Sequence, residues 1–215
     1  MTDRVIFWDV DTQHDFMDFD GKLYVPGAEE IKPNLARLTT YAHERGIRIV
    51  ASADDHEPSH RELSATPDFR ETFPEHCMRG TRGAEKIPET ALAAPLIVEP
   101  EPTSPDELTR LLRTRHDRDV LLRKHWFDVF TNANTEIVLE ALAPSDIVLY
   151  GVALDVCNRY AIEGMLERDV ARIHAVVDAT KAIHTEGADA LLDDWRRRGV
   201  RLVSTDAVVR GQAAA

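Results

Sequence analysis

The sequence runs to 215 residues, 43% of them hydrophobic, enough to bury a proper core and to form one α/β domain over 1–215. Its net charge is −12, with acidic residues scattered rather than gathered into a tail, which excludes a nucleic-acid groove or an anionic membrane surface as partner and favours a small molecule. No apolar run approaches membrane-spanning length, Asp3 and Arg4 lead into Val5 without the apolar stretch of a signal peptide, and two cysteines cannot build a disulfide framework, so a reducing, cytoplasmic setting is expected.

Val5 to Val10 reads as a first buried strand, ending in the polar cluster Asp11-Thr12-Gln13-His14-Asp15. Asp9, inside that strand, is expected to reach solvent at a strand end or to cap a loop. A turn at Val25-Pro26-Gly27 precedes an amphipathic helix from Ile31 to Arg45, with Ile31, Leu35, Leu38 and Tyr41 at three- and four-residue steps. Gly46 stops it, and Ile47 to Ala53 forms the second strand. From Asp54 to Gly83 the chain is irregular and rich in prolines and histidines, a length that in a compact domain points to function. Leu96 to Val98 is a short strand, Pro105 to Arg113 a polar helix, and Asp119 to Arg123 a strand ending at Lys124. A helix from Thr135 to Leu142, capped by Asn134 or Thr135, leads to the strand Asp146 to Tyr150, the turn Gly151 to Cys157 and a helix from Asn158 to Glu167. The strand Arg172 to Val177 ends at Asp178, a helix follows from Thr185 to Arg198, and Val200 to Ser204 is a last strand before a polar tail. Strands alternating with helices imply a three-layer sandwich, a central, mostly parallel sheet with helices on both faces.

In a parallel sheet the carboxyl ends of the strands converge on one edge, so Asp11, Lys124 and Cys157 can meet there. Cys157 falls where a strand turns into a helix, a position whose free N–H groups and helix dipole favour a thiolate and can hold an oxyanion. Asp11 could take the thiol proton, with Lys124 stabilising both charges. The bland alternative is a small buried cysteine beside an ordinary strand-end ion pair. A second group is Asp54, His56, His60 and His76: two imidazoles plus a carboxylate suit zinc, manganese or iron. The other histidines, His14, His43, His116, His125, His174 and His184, read as surface or structural, and Cys77 as a packing residue.

The order and content of these stretches resemble the nicotinamidase/isochorismatase-like family of cysteine hydrolases. The resemblance rests on Asp11-Thr12-Gln13-His14-Asp15-Phe16, Val25-Pro26-Gly27-Ala28, Asp54-Asp55-His56, Phe73-Pro74-Glu75-His76-Cys77, Gly80-Thr81-Arg82-Gly83-Ala84, Lys124 and Gly151-Val152-Ala153-Leu154-Asp155-Val156-Cys157, which together span nearly the whole chain. It implies the isochorismatase-like hydrolase fold, a catalytic triad of Asp11, Lys124 and Cys157, and a divalent metal ion held by Asp54, His56 and His76. It further implies a cis peptide between Val152 and Ala153 and an oxyanion hole from the N–H groups of Ala153 and Cys157. Phe16, Phe73 and Trp126 would wall a flat substrate, and the chain would assemble as a homo-oligomer. The implied activity is hydrolysis of nicotinamide to nicotinate and ammonia through a Cys157 thioester, as in NAD salvage. Another small amide or carbamoyl compound, or a non-catalytic binding role, are the alternatives. The chain departs from the nicotinamidase pattern in having no glycine after Lys124, Asp55 in place of an aromatic residue, and Glu62-Leu63 after His60, which leaves His60 open as a fourth ligand.

Overall fold

A computed structural model describes residues 5–115 and 117–211; His116 lies outside them. Seven strands, β1 (Val5–Val10), β2 (Ile49–Asp54), β3 (Leu96–Val98), β4 (Val120–Lys124), β5 (Asp146–Val152), β6 (Arg172–Lys181) and β7 (Arg201–Val203), form one sheet in the order β3-β4-β2-β1-β5-β6-β7. Every neighbouring pair is parallel. The central strands are covered on both faces, so they read as near-continuous apolar runs. Ile6, Trp8 and Val10 point into one core layer while Phe7 points into the other.

Helices α3 (Pro105–Thr114), α4 (Thr135–Leu142), α5 (Cys157–Glu167) and α6 (Ala188–Arg197) pack Leu108, Leu112, Val138, Ile162, Met165 and Trp195 into the first layer. The second layer takes Ile31, Leu35 and Leu38 of α2 (Ala28–Glu44), Phe16 and Met17 of α1 (His14–Met17), and Val208 of α7 (Thr205–Val209). The three-layer α/β sandwich is therefore the observed fold. No helix among the described residues is long and apolar enough to cross a membrane.

Several boundaries differ from the pattern reading, each for a local reason. Gly27, in the left-handed region at φ 76°, starts α2 at Ala28 rather than Ile31. Gly187, at φ 88°, delays α6 to Ala188. The segment taken as a tail holds α7, whose start is capped by the Ser204 hydroxyl accepting from the Ala207 N–H at 3.2 Å. Strand β6 runs on to Lys181, past a register shift opposite Leu149/Gly151, and so continues beside the turn that carries Cys157. Asp9 does not reach solvent: it is fully buried, paired with Lys86 Nζ at 2.8 Å and accepting from Thr12 Oγ1 at 2.9 Å.

Candidate active site

Strand order brings the chemistry together. With β4, β2, β1 and β5 side by side, the residues at their carboxyl ends, Lys124, Asp54, Asp11 and Cys157, face one another. Asp11 follows β1 in the left-handed region at φ 48°, and its Oδ1 accepts from Ser52 Oγ at 2.6 Å. Lys124, 1% exposed, sets its Nζ 2.9 Å from Asp11 Oδ2 and 3.7 Å from Cys157 Sγ, and donates to Asp54 Oδ1. Burial raises the Asp11 carboxyl, opposed by Lys124 and reinforced by Asp54. Burial also pushes the Cys157 thiol well up, with Lys124 pulling it back. Burial disfavours the Lys124 ammonium, yet the carboxylates of Asp11 and Asp54 outweigh it and hold its pKa well above the ordinary value. The resting site is thus a thiol beside a buried carboxylate, with one fixed positive charge ready to balance whichever of the two is ionised.

The turn before α5 is held from several sides. The Val152–Ala153 peptide bond is cis. The Ala153 carbonyl accepts from the N–H groups of Val156 and Asn158 at 3.1 and 3.0 Å, on either side of Cys157. Cys157 is the first residue of α5, where an N–H has no acceptor within the helix. Asn158 Nδ2 donates to the Gly151 carbonyl at 3.1 Å and to Thr180 Oγ1 at 2.8 Å, so the extension of β6 braces the turn that carries Cys157.

Beside this group, ligand atoms of Asp54, His56, Glu62 and His76 all lie within 4.8 Å of one another and are buried. His76 Nδ1 donates to the Pro74 carbonyl at 2.8 Å, which turns Nε2 inward, 3.6 Å from Asp54 Oδ2 and 3.5 Å from Glu62 Oε1. Asp54 Oδ2, His56 Nε2, Glu62 Oε2 and His76 Nε2 are buried without a hydrogen-bond partner, a costly arrangement unless a cation satisfies them. The cluster's own field asks for positive charge: burial works against the imidazolium of His76, yet Asp54 and Glu62 push its pKa up to about 10. Burial takes His56 the other way, to about 4, leaving a neutral ring with a free lone pair. Two imidazoles and two carboxylates fit a divalent cation.

Sequence reasoning missed Glu62 as the fourth donor. His60 is not in the cluster: its Nδ1 accepts from the Glu57 N–H at 3.1 Å, and its ring packs on His125 with centroids 4.0 Å apart. The signal for Glu62 lay in its burial, which a proline-rich loop does not betray by periodicity.

A narrow cleft borders Cys157 and Ala153. Phe16, Leu23, Phe73, Val156 and Ile183 make its apolar wall, and Asp54 and Glu62 its polar edge. Phe16 and Phe73 therefore stand where a substrate wall was expected. Trp126 does not line this cavity; it packs on Phe127, with the Arg61 guanidinium 3.9 Å above its ring. Leu23 and Ile183 were not singled out from sequence, since nothing local marks them. Ile183 is held there by Asp155, whose Oδ1 accepts its N–H at 2.8 Å. A broader concavity borders Arg79, Lys86 and Arg123, but each of these cations is already paired with a carboxylate, and no cysteine or serine lines it.

The sequence and fold can be set against known proteins. The isochorismatase domain matches residues 97–207, just over half of the chain. The nicotinamidase/pyrazinamidase of Mycobacterium tuberculosis is 27% identical over 198 residues, covering 90% of this chain and 95% of its own. A probable inactive nicotinamidase of Arabidopsis thaliana is 25% identical over 192 residues, covering 89% and 88%. The pyrazinamidase of Pyrococcus horikoshii, solved in complex with zinc, superposes with a TM-score of 0.71 at 22% identity, over 94% of this chain and 99% of that one, a likeness of fold. On the domain match, the parallel sheet and the residues at its carboxyl edge, the chain belongs to the isochorismatase domain family of hydrolases.

Proposed function

We propose that this chain hydrolyses nicotinamide to nicotinate and ammonia. The observation that carries this reading is the meeting of Asp11, Lys124 and Cys157 at a small, mostly apolar cavity whose polar edge belongs to a metal-type donor cluster. The Asp11 carboxylate takes the proton of Cys157 Sγ, and the thiolate attacks the amide carbon, forming a C–S bond and pushing an electron pair onto oxygen. The N–H groups of Ala153 and Cys157 receive that oxyanion. Collapse breaks the C–N bond, and ammonia leaves with the proton that Asp11 returns. Water then adds to the thioester, giving its proton to Asp11; the C–S bond breaks, the acid departs and the thiolate takes its proton back. Lys124 balances the charge throughout, as it contacts both the base and the sulfur. Asp54, His56, Glu62 and His76 would hold a zinc, manganese or iron ion, which supplies a Lewis-acidic contact for a heterocyclic nitrogen and so orients the ring.

Charge also bears on the substrate: Lys124 is already shared between Asp11 and Asp54, and a divalent ion would be balanced by Asp54 and Glu62, so neither is left over to pair a carboxylate carried by a carbamoyl compound. One relative is described as probably inactive, but the complete Asp11, Lys124 and Cys157 set supports the catalytic reading over a binding role. The two cysteines support a cytoplasmic setting, the resemblance adds a place in NAD salvage and a homo-oligomeric assembly, and the acidic balance supports a small molecule rather than nucleic acid as partner.

The test is to incubate metal-replete protein with nicotinamide and measure ammonia and nicotinate, with a chelated sample alongside. Turnover that disappears on chelation is expected. No turnover, in protein with bound metal and a Cys157 that alkylates, would overturn nicotinamide as substrate and leave other small neutral amides.

A further inference from the structure

Asp54 carries two duties: its Oδ1 accepts from Lys124, while its Oδ2 lies among the four metal-type donors without a hydrogen-bond partner. A carboxylate divided in this way works only if its backbone is held still, because a small rotation would favour one duty over the other. Yet Asp54 sits where the sheet runs out of partners on the β1 side. The β1–β2 ladder ends at the pair Val10 and Ser52, and β1 turns away at Asp11. The rung opposite Asp54 is missing from the backbone.

Gln13 supplies it from a side chain. Its Oε1 accepts the Asp54 N–H at 2.8 Å, and its Nε2 donates to the Asp54 carbonyl at 2.7 Å and to the Ala84 carbonyl at 2.8 Å. The carboxamide thus stands in for a peptide group, engaging both main-chain polar groups of the same residue. Gln13 is fully buried and is fixed in turn, its own N–H donating to the Asp11 carbonyl at 2.8 Å. Thr12, one residue earlier, is tied to Asp9, Thr90 and Lys86 through a single hydroxyl at 2.9, 2.7 and 2.7 Å. The short stretch that presents the base therefore also clamps the metal ligand.

We infer that Gln13 is the positioning residue that holds Asp54 so that one carboxylate serves the lysine and the metal centre together. The inference rests on the metal-centre reading above. Outer residues that orient a ligand usually change metal affinity by about 10- to 100-fold when removed, whereas a residue that only ties loops together changes melting without changing affinity.

The experiment measures Zn²⁺ affinity of the full chain by competition with a chelating dye, together with thermal melting of the same proteins. Gln13→Met keeps the side chain's length and removes all three bonds; Gln13→Glu keeps the acceptor for the Asp54 N–H but not the two donors. His174→Asn is the control, removing a buried hydrogen bond to Asp146 at the amino ends of the strands. Gln13→Met should bind Zn²⁺ about 10- to 100-fold more weakly, Gln13→Glu by an intermediate factor, and the control within about twofold of wild type despite a lower melting temperature. Wild-type affinity in Gln13→Met, or in Gln13→Glu should the methionine variant not fold, overturns the inference while leaving the metal centre standing. A wild-type chain that binds no Zn²⁺ overturns the metal-centre reading itself, and the inference with it.

Discussion

Lys124 and Cys157 differ in what their removal should do, although both are buried at one site. Cys157→Ala deletes one sulfur atom from a position 7% exposed, with Lys124 still balanced by Asp11 and Asp54. Turnover should fall by at least about 10³-fold while melting moves by only a few degrees. Lys124→Met instead leaves two buried carboxylates facing each other without their shared cation. Breaking a buried ion pair by removing one partner costs about 3 to 5 kcal/mol, so this variant should lose stability as well as activity. Chemical denaturation run beside the activity assay separates the two cases, and equal melting losses in both variants would contradict the shared-cation picture.

At the scale of elements, the cluster of Asp54, His56, Glu62 and His76 depends on how the loop from Asp54 to Gly83 is pinned to α1. The pin is Asp15, whose Oδ2 accepts the Cys77 N–H at 2.7 Å, one residue from His76. Gly83 leaves Asp15 its space: a Cβ there would fall 2.2 Å from Asp15 Oδ2. Gly83→Ala should therefore push Asp15 away from Cys77, costing about 1 to 3 kcal/mol and weakening Zn²⁺ binding, which the same dye competition reads. An alanine variant with wild-type melting and affinity would mean that the loop has room to yield. Gly151 makes the matching demand beside the Cys157 turn, since its φ of 114° and a would-be Cβ 2.1 Å from the Val10 carbonyl oxygen bar any side chain where β5 presses on β1.

Across the whole molecule, the sheet keeps Asp11, Asp54 and Lys124 at the carboxyl ends of its strands and a separate charge cluster at the amino ends. At the amino ends of β5 and β6, Asp146 accepts from Arg172 Nε and Nη2 at 2.8 and 2.7 Å and from His174 Nε2 at 2.9 Å. Arg172 holds the Asp146 carboxyl well below the usual range, with burial opposing and His174 and Ser145 assisting. Because the folded pKa is depressed, the stabilisation is complete above the ordinary aspartate pKa of about 3.9 and is lost as pH falls through the folded value. The melting gap between wild type and Asp146→Asn should therefore be constant from neutral pH down to about pH 5 and close below about pH 4. A gap that persists unchanged into strong acid would sink the assignment.

Much of this protein was legible in the order of its residues. Alternating strands and helices dictated a parallel sheet, and a parallel sheet gathers its carboxyl ends, so Asp11, Lys124 and Cys157 could be named from their places just past apolar runs. Periodicity reports burial only where the backbone is regular, and the rest of the site lies where it is not. Glu62 carries no local mark that separates it from a solvated loop glutamate; only the folding of 57–76 over the end of β2 buries it against His56 and His76. Trp126 was expected as a wall from the resemblance alone, whereas its ring packs on Phe127 under the Arg61 guanidinium. Asp9 looked like a strand-end anomaly until Lys86, 77 positions later in the chain, came to lie against it. Residue type and spacing determined which groups could reach the sheet's edge, while tertiary structure decided which of them share a carboxylate, because that depends on contacts between segments far apart in sequence.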